Sequence, residues 1–254
     1  MVLAIDVGNS NICIGVFHEN RSLLTARIRT DSLRTETEYA VMLHQILSLN
    51  RLDPAEIEGA VLSCVVPVLT PILREAVRKL APVQVLTVGP GIRMGINLRI
   101  DEPASCGADL VCTAVGAAEK YPLPAIIIDL GTATKITVVD EKRSYLGGMI
   151  APGVEVSLGA LSASAALLPS IGIGHAIKVV GTNTVDSMAS GSILGTASMI
   201  DGMIDRYQEE LGPAKTLVAC GGLAKAIIPH CRHRIEVDPT LLLDGLMAIY
   251  RKNR

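Results

Sequence analysis

Ala4-Ile5-Asp6-Val7-Gly8-Asn9-Ser10-Asn11 returns about half a chain later as Ile127-Ile128-Asp129-Leu130-Gly131-Thr132-Ala133-Thr134. The shared core is isoleucine, aspartate, an aliphatic residue and glycine, followed by short polar residues. What comes next repeats too: an alternating segment (12–17; 136–139), a polar turn, then a third extended segment (23–28; 145–150). Each copy therefore reads as the start of a three-stranded meander. Beyond it, strands alternate with helices. In the first half the pattern predicts a helix over 37–49, a buried strand over 60–66, a helix over 69–80 begun after Pro67, and a strand over 83–88. In the second it predicts a helix over 184–211, a strand over 216–219 and a closing helix over 241–251. Lys120 and the prolines at 122 and 124 separate helix from strand, which divides the chain into halves 1–120 and 121–254.

A meander followed by β/α units, duplicated, is similar to the two ribonuclease-H-like domains of the actin, Hsp70 and sugar-kinase superfold. That likeness implies an α/β protein with mixed five-stranded sheets flanked by helices.

Composition narrows the function. The chain is 49% apolar with one Phe and no Trp, so its core is built from Ile, Val, Leu and Ala, which suits buried strands and close-packed helices. A net charge of −2 and a pI near 6.2, without a Lys/Arg block, argue against nucleic acid or an anionic membrane as partner. No apolar run reaches spanning length, and the first residues run straight into a strand without a signal-peptide pattern. The six cysteines lie mostly in apolar segments with no CxxC spacing, which reads as reduced thiols and a cytoplasmic address. His230-Cys231-Arg232-His233 has no second pair at zinc spacing and reads as a polar surface turn.

The repeated loops carry the chemistry. A phosphate-binding hairpin needs backbone N–H groups facing the anion, and glycine lets the chain approach without a Cβ in the way. Gly8-Asn9-Ser10-Asn11 supplies the turn and three polar side chains, while Asp6 can hold Mg²⁺ directly or through water. A plain hairpin with a polar turn would use the same residue types. Two such loops at matching places in a repeat favour the phosphate reading. The competing nucleotide signatures are missing: there is no GxxxxGK[ST], and Gly89-Pro90-Gly91 and Gly172-Ile173-Gly174 lack the third glycine of a dinucleotide loop.

In order along nearly the whole chain, the sequence resembles the type III pantothenate kinase family. The matching motifs are Asp6-Val-Gly-Asn-Ser-Asn11, Arg29-Thr-Asp31 with Glu38-Tyr39, Val88-Gly-Pro-Gly91, Gly107-Ala-Asp109, Asp129-Leu-Gly-Thr-Ala-Thr134, Gly147-Gly-Met-Ile-Ala-Pro-Gly153, Asn183-Thr-Val185 and Gly221-Gly-Leu-Ala224. The resemblance implies phosphorylation of pantothenate by ATP with Mg²⁺, as the first step of coenzyme A synthesis, in a homodimer. It implies ATP contacts at Asp6, Val7, Gly8, Asn9, Ser10, Asn11, Ile12, Cys13 and Thr132, and Asp109 as general base. It also implies a monovalent cation, K⁺ or NH₄⁺, on Asp129, and a pantothenate pocket lined by Ile100, Gly107, Ala108, Asp109 and Leu110, with Thr184 reaching in from the partner subunit. A base aspartate fits the chemistry, since a carboxylate can orient a hydroxyl and take its proton as the phosphoryl group transfers. Without the resemblance, Asp109 reads as an ordinary aspartate at a helix N-terminus.

The sequence departs from the family's pattern on the acceptor side. Leu110 stands where the family carries arginine, Ile100 replaces a tyrosine, Glu102 an asparagine, and Lys135 the last threonine of the Thr-Ala-Thr-Thr loop. The segment 159–168 lacks the usual charged and aromatic residues. Two other readings stay open beside a pantothenate kinase: a kinase for another small hydroxylated acceptor, and a non-catalytic regulatory relative that keeps the fold.

Overall fold

The computed structural model describes residues 1–254 except 20 and 176. The first part of the chain forms β1 (Val2–Val7), β2 (Asn11–His18), β3 (Arg21–Arg29), α1 (Glu36–Leu49), β4 (Gly59–Cys64), α2 (Leu69–Leu80), β5 (Val85–Thr87), β6 (Asn97–Leu98) and α3 (Ala108–Lys120). The rest forms β7 (Ala125–Leu130), β8 (Ala133–Val139), β9 (Ser144–Pro152), α4 (Val154–Ser164), α5 (Thr184–Leu211), β10 (Thr216–Cys220), α6 (Ala224–Ile227), β11 (Glu236–Val237) and α7 (Leu241–Lys252). These elements make two compact units. The first holds Met1–Ile96, Asp101–Glu119 and Leu241–Arg254; the second holds Asn97–Ile100 and Lys120–Thr240.

In the first unit the sheet order is β3-β2-β1-β4-β5, an antiparallel meander continued by parallel strands. β1 is buried along its whole length, as expected of a strand covered on both faces. Its alternate residues Leu3, Ile5 and Val7 join Ile12, Ile14 and Leu62 in one core with Tyr39, Leu43 and Leu47 of α1 and Leu69, Leu73 and Val77 of α2. Each such fully buried aliphatic side chain contributes about 1.5–3 kcal/mol. α1 begins at Glu36, one residue before the predicted start, because a capping box fixes its end: Glu38 N–H donates to Thr35 Oγ1, and Thr35 N–H to Glu38 Oε2.

The closing helix α7 belongs to this first unit, whereas the division at residue 120 assigns it to the second half. The reason is that α7 packs on β1, β2 and β4 of the first sheet and also makes a close helix-to-helix seat. A Cβ at Gly245 would overlap the Cys112 carbonyl of α3, and one at Gly116 of α3 would overlap the Leu241 carbonyl. Only glycine at both places lets the two backbones touch. Leu241, Leu243, Leu246 and Ile249 of α7 and Val111, Val115 and Ala118 of α3 are all buried.

The second unit repeats the plan with the order β11-β10-β7-β8-β9-β6. β7 to β9 form the antiparallel meander, and β10 and β11 continue it in parallel. Five strands are expected here; the sixth, β6, is a two-residue strand parallel to β9, pinned by Asn97 N–H to Arg143 O and Arg99 N–H to Tyr145 O. The core combines Ile126, Ile128 and Ile136 of the sheet with Ile193, Ile200 and Ile204 of α5. α4, over a Gly/Ser/Ala-rich stretch, starts without a side-chain cap.

Candidate active site

In the first unit, Asp6 ends β1 on the face opposite Ile5 and Val7, and it is buried. Its Oδ1 accepts a hydrogen bond of 2.8 Å from the Ser63 hydroxyl of β4, the register partner of Asp6. The loop that follows exposes Asn9, Ser10 and Asn11. It is closed by Gly8 N–H to Asn11 O and braced from Thr30, whose N–H reaches Ser10 O at 3.1 Å and whose hydroxyl reaches Gly8 O at 2.7 Å. Thr30 is held in turn at a corner where Tyr39 OH donates to Asp31 O and accepts from Asp31 N–H. The motifs Arg29-Thr-Asp31 and Glu38-Tyr39 thus prop the loop. Ser63 was missed by sequence reasoning; its signal is a hydroxyl in an otherwise apolar buried strand.

Asp109 lies in the first turn of α3, next to half-buried Gly107, Ala108 and Leu110. Its Oδ1 accepts the Leu110 N–H at 2.9 Å, which fixes the carboxylate at the helix end. One turn further on, Cys112 is buried. Burial, then the negative charge of Asp6 and, more weakly, that of Asp109 push the Cys112 thiol well above its usual range, with a Ser63 hydrogen bond working against them. Asp6 and Asp109 therefore both lie within electrostatic reach of one thiol. Cys106 is pushed up in the same way, by burial and by Asp109. Among the described residues no group of three or more His, Cys, Asp and Glu side chains could by itself hold a metal ion. Asp6 offers one hard carboxylate, which suits Mg²⁺, an ion that takes one or two carboxylates and fills its shell with water and phosphate oxygens.

In the second unit Asp129 ends β7 at the place corresponding to Asp6. Gly131 N–H closes the next turn onto Ala133 O, and Gly153 N–H donates to Thr132 O. A Cβ at Gly153 would overlap the Thr132 carbonyl, so that glycine is what lets the end of β9 lie against the loop. Thr132 is exposed. Leu223 N–H, after the Gly221-Gly222 turn, donates to Leu130 O and ties the end of β10 to the same loop. Lys135 Nζ stands 2.7 Å from Asp129 Oδ2. Ile100 belongs to this unit, beside Gly147, whereas Gly107 to Leu110 belong to the first. Thr184 opens α5, capped by Asn183, whose side chain accepts from Asp186 N–H. It lies exposed on an open groove of about 920 Å³ lined by Pro152, Leu161, Ser187, Gly191 and Gly195. The turn at His230 to His233 is tied down by His233, whose Nε2 pairs with Asp205 Oδ1 at 2.8 Å.

Duplicated meander-and-β/α units, each with an aspartate and a glycine turn at the end of its first strand, define the actin, Hsp70 and sugar-kinase class. Solved structures that share the fold include a ROK hexokinase from Thermus thermophilus (TM-score 0.54, 14% identity, covering 100% of this chain and 99% of that one) and a ROK glucokinase from Streptomyces griseus (TM-score 0.55, 14% identity, 98% of each). A Campylobacter jejuni protein described as a Baf family transcriptional activator matches at TM-score 0.63, with 17% identity over 99% of this chain and 98% of that one. The family model for type III pantothenate kinase matches residues 2–206. The chain is 41% identical over 253 residues to the type III pantothenate kinase of Moorella thermoacetica and 43% identical over 255 residues to that of Exiguobacterium sibiricum, each match spanning 100% of both chains. This chain belongs to the type III pantothenate kinase family, and is a kinase. Among the described residues no helix is long and apolar enough to cross a membrane.

Proposed function

We propose that this chain transfers the terminal phosphoryl group of ATP to the primary hydroxyl of pantothenate, giving 4′-phosphopantothenate, the first step of coenzyme A biosynthesis, in the cytoplasm. The observation that carries the reading is the carboxylate of Asp109, fixed by the Leu110 N–H at a helix end in the same unit as the Asp6 loop. Asp109 accepts the hydroxyl proton as the oxygen attacks phosphorus, and the bond to ADP breaks. Residues 6 to 13 of the first unit are ATP contacts, and the loop at Thr132 is the phosphate loop of the second. Asp6 would hold Mg²⁺, which when bound neutralises phosphate charge. Gly107, Ala108 and Leu110 shape the acceptor side.

The protein works as a homodimer in which Thr184 reaches the partner's acceptor site. Three features support this reading: the groove beside Thr184, the small residues of α5 along it, and the exposed apolar side chains of Leu167, Val179 and Val180 in the same unit.

Pantothenate-dependent ADP release by the purified chain with ATP and Mg²⁺ tests the reaction, and Asp109→Asn tests the base. The asparagine retains an oxygen for the Leu110 N–H but accepts no proton. Turnover should fall about 10²- to 10⁴-fold with the melting temperature unchanged. An Asp109→Asn protein that turns over at the native rate overturns the assignment. Leu110 in place of the family's arginine favours, as a second reading, another small hydroxylated acceptor. A screen in which pantothenate is inert and a different alcohol releases ADP would establish it. A fully folded chain inert with every acceptor would point instead to a regulatory relative.

A further inference from the structure

Asp129 and Lys135 are register partners across the β7–β8 hairpin, so both side chains leave the sheet on one face. Their ion pair is short, 2.7 Å from Nζ to Oδ2, and each side chain is only 14% exposed. In the first unit the corresponding aspartate is the register partner of Cys13 across its hairpin and accepts a hydrogen bond from the Ser63 hydroxyl.

The family resemblance implies a monovalent cation on Asp129, and the donor set of this chain does not fit one. A K⁺ or NH₄⁺ ion on that carboxylate would share it with an ammonium already within hydrogen-bond distance, in a mostly desolvated setting where like charges repel strongly. Evicting the ammonium would break a nearly buried pair. Lysine brings the same unit charge and three N–H donors on a tether, so it is present at every turnover whatever the salt.

We infer that Lys135 is a covalently attached substitute for the monovalent cation, and that this chain binds and uses ATP without K⁺ or NH₄⁺. The inference rests on reading the loop at Asp129 to Thr132 as a phosphate loop. ATP affinity in the presence of Mg²⁺ is to be measured by calorimetry with tetramethylammonium as the only monovalent cation, and again with KCl at equal ionic strength. The native chain should show the same dissociation constant in both, within about twofold, and Lys135→Arg should behave likewise. Lys135→Thr should lose about tenfold or more without K⁺, in line with removal of a charge-assisted contact, and regain it with K⁺. Native affinity that depends strongly on K⁺ overturns the inference. So does a Lys135→Thr protein indifferent to K⁺, whether its affinity stays native or falls beyond rescue. Should that variant fail to fold, the native and Lys135→Arg titrations decide alone. The readout is ATP binding, so salt-independent affinity together with absent pantothenate-dependent ADP release would retain the inference and reject the acceptor.

Discussion

Ser63 Oγ donates to Asp6 Oδ1 across two neighbouring parallel strands, and both residues are buried. Ser63→Ala leaves a carboxylate oxygen buried without that donor, which should cost about 1.5–3 kcal/mol of stability. It should also weaken ATP binding in the presence of Mg²⁺, because the carboxylate proposed to carry the metal is no longer fixed. Denaturant titration and calorimetry check the two effects. A variant native in both would mean that Asp6 is held without Ser63.

Leu110 offers no charge to the carboxylate of pantothenate, which a guanidinium binds through paired charge-assisted hydrogen bonds. Leu110→Arg should lower the Michaelis constant for pantothenate by roughly 10- to 150-fold with little change in that for ATP. Arg93 and Arg99 are exposed in this structure and are the arginines nearest to Leu110 in sequence. Steady-state kinetics of Leu110→Arg, Arg93→Ala and Arg99→Ala separate these cases. A low native constant that none of the three changes would assign the carboxylate to backbone N–H groups.

Nothing lies within 4 Å of where a Cβ would stand at Gly195, on the groove beside Thr184. A tryptophan there fits the protomer but fills the space a partner helix needs. Gly195→Trp should sediment as a monomer with native circular dichroism, while the native chain sediments as a dimer. A variant dimer as tight as the native one places the interface elsewhere.

Asp238 gives the second unit a defined acid sensitivity. Burial pushes its carboxyl up, but the Lys120 ammonium at 2.6 Å and the Thr240 hydroxyl and N–H outweigh burial and hold it below the ordinary value. A depressed folded value means that this stabilisation is present above the unfolded value of about 3.9 and is lost as pH falls through the lower folded value. Asp238→Asn should therefore melt lower than the native chain at pH 7, with the gap closing below about pH 4. A gap independent of pH would mean that packing, not charge, is lost. Tyr121 OH, which donates to Asp238 and Glu236, is itself pushed up by burial and by those carboxylates, so it stays protonated throughout this range.

Both meanders, α2, α5 and the two glycine turns were legible in the sequence because their signals are local: alternation, helical period, a proline before a helix, and Asp-x-Gly. Elements decided by distant partners were not. β6 exists through two backbone bonds to residues near 144, and α4 begins without a side-chain cap in a stretch with little helical signal. The motif Asp6-Val-Gly8 marked a loop, but its anchor Ser63 lies 57 residues away. At Lys135 the substitution was visible at once; that its ammonium reaches Asp129 depends on hairpin register, which a sequence states only indirectly.

The backbone-to-backbone seat of α7 on α3 at Gly116 and Gly245 orders events during synthesis. Every residue of the second unit leaves the ribosome before residue 241 does, so that unit can complete its sheet while the first still lacks a helix. Until α7 arrives, Cys112 and Gly116 lack the helix they seat against, on the very helix whose first turn holds Asp109. The seat of α7 on the helix that carries the proposed base therefore forms only after the residues of the second unit have been made.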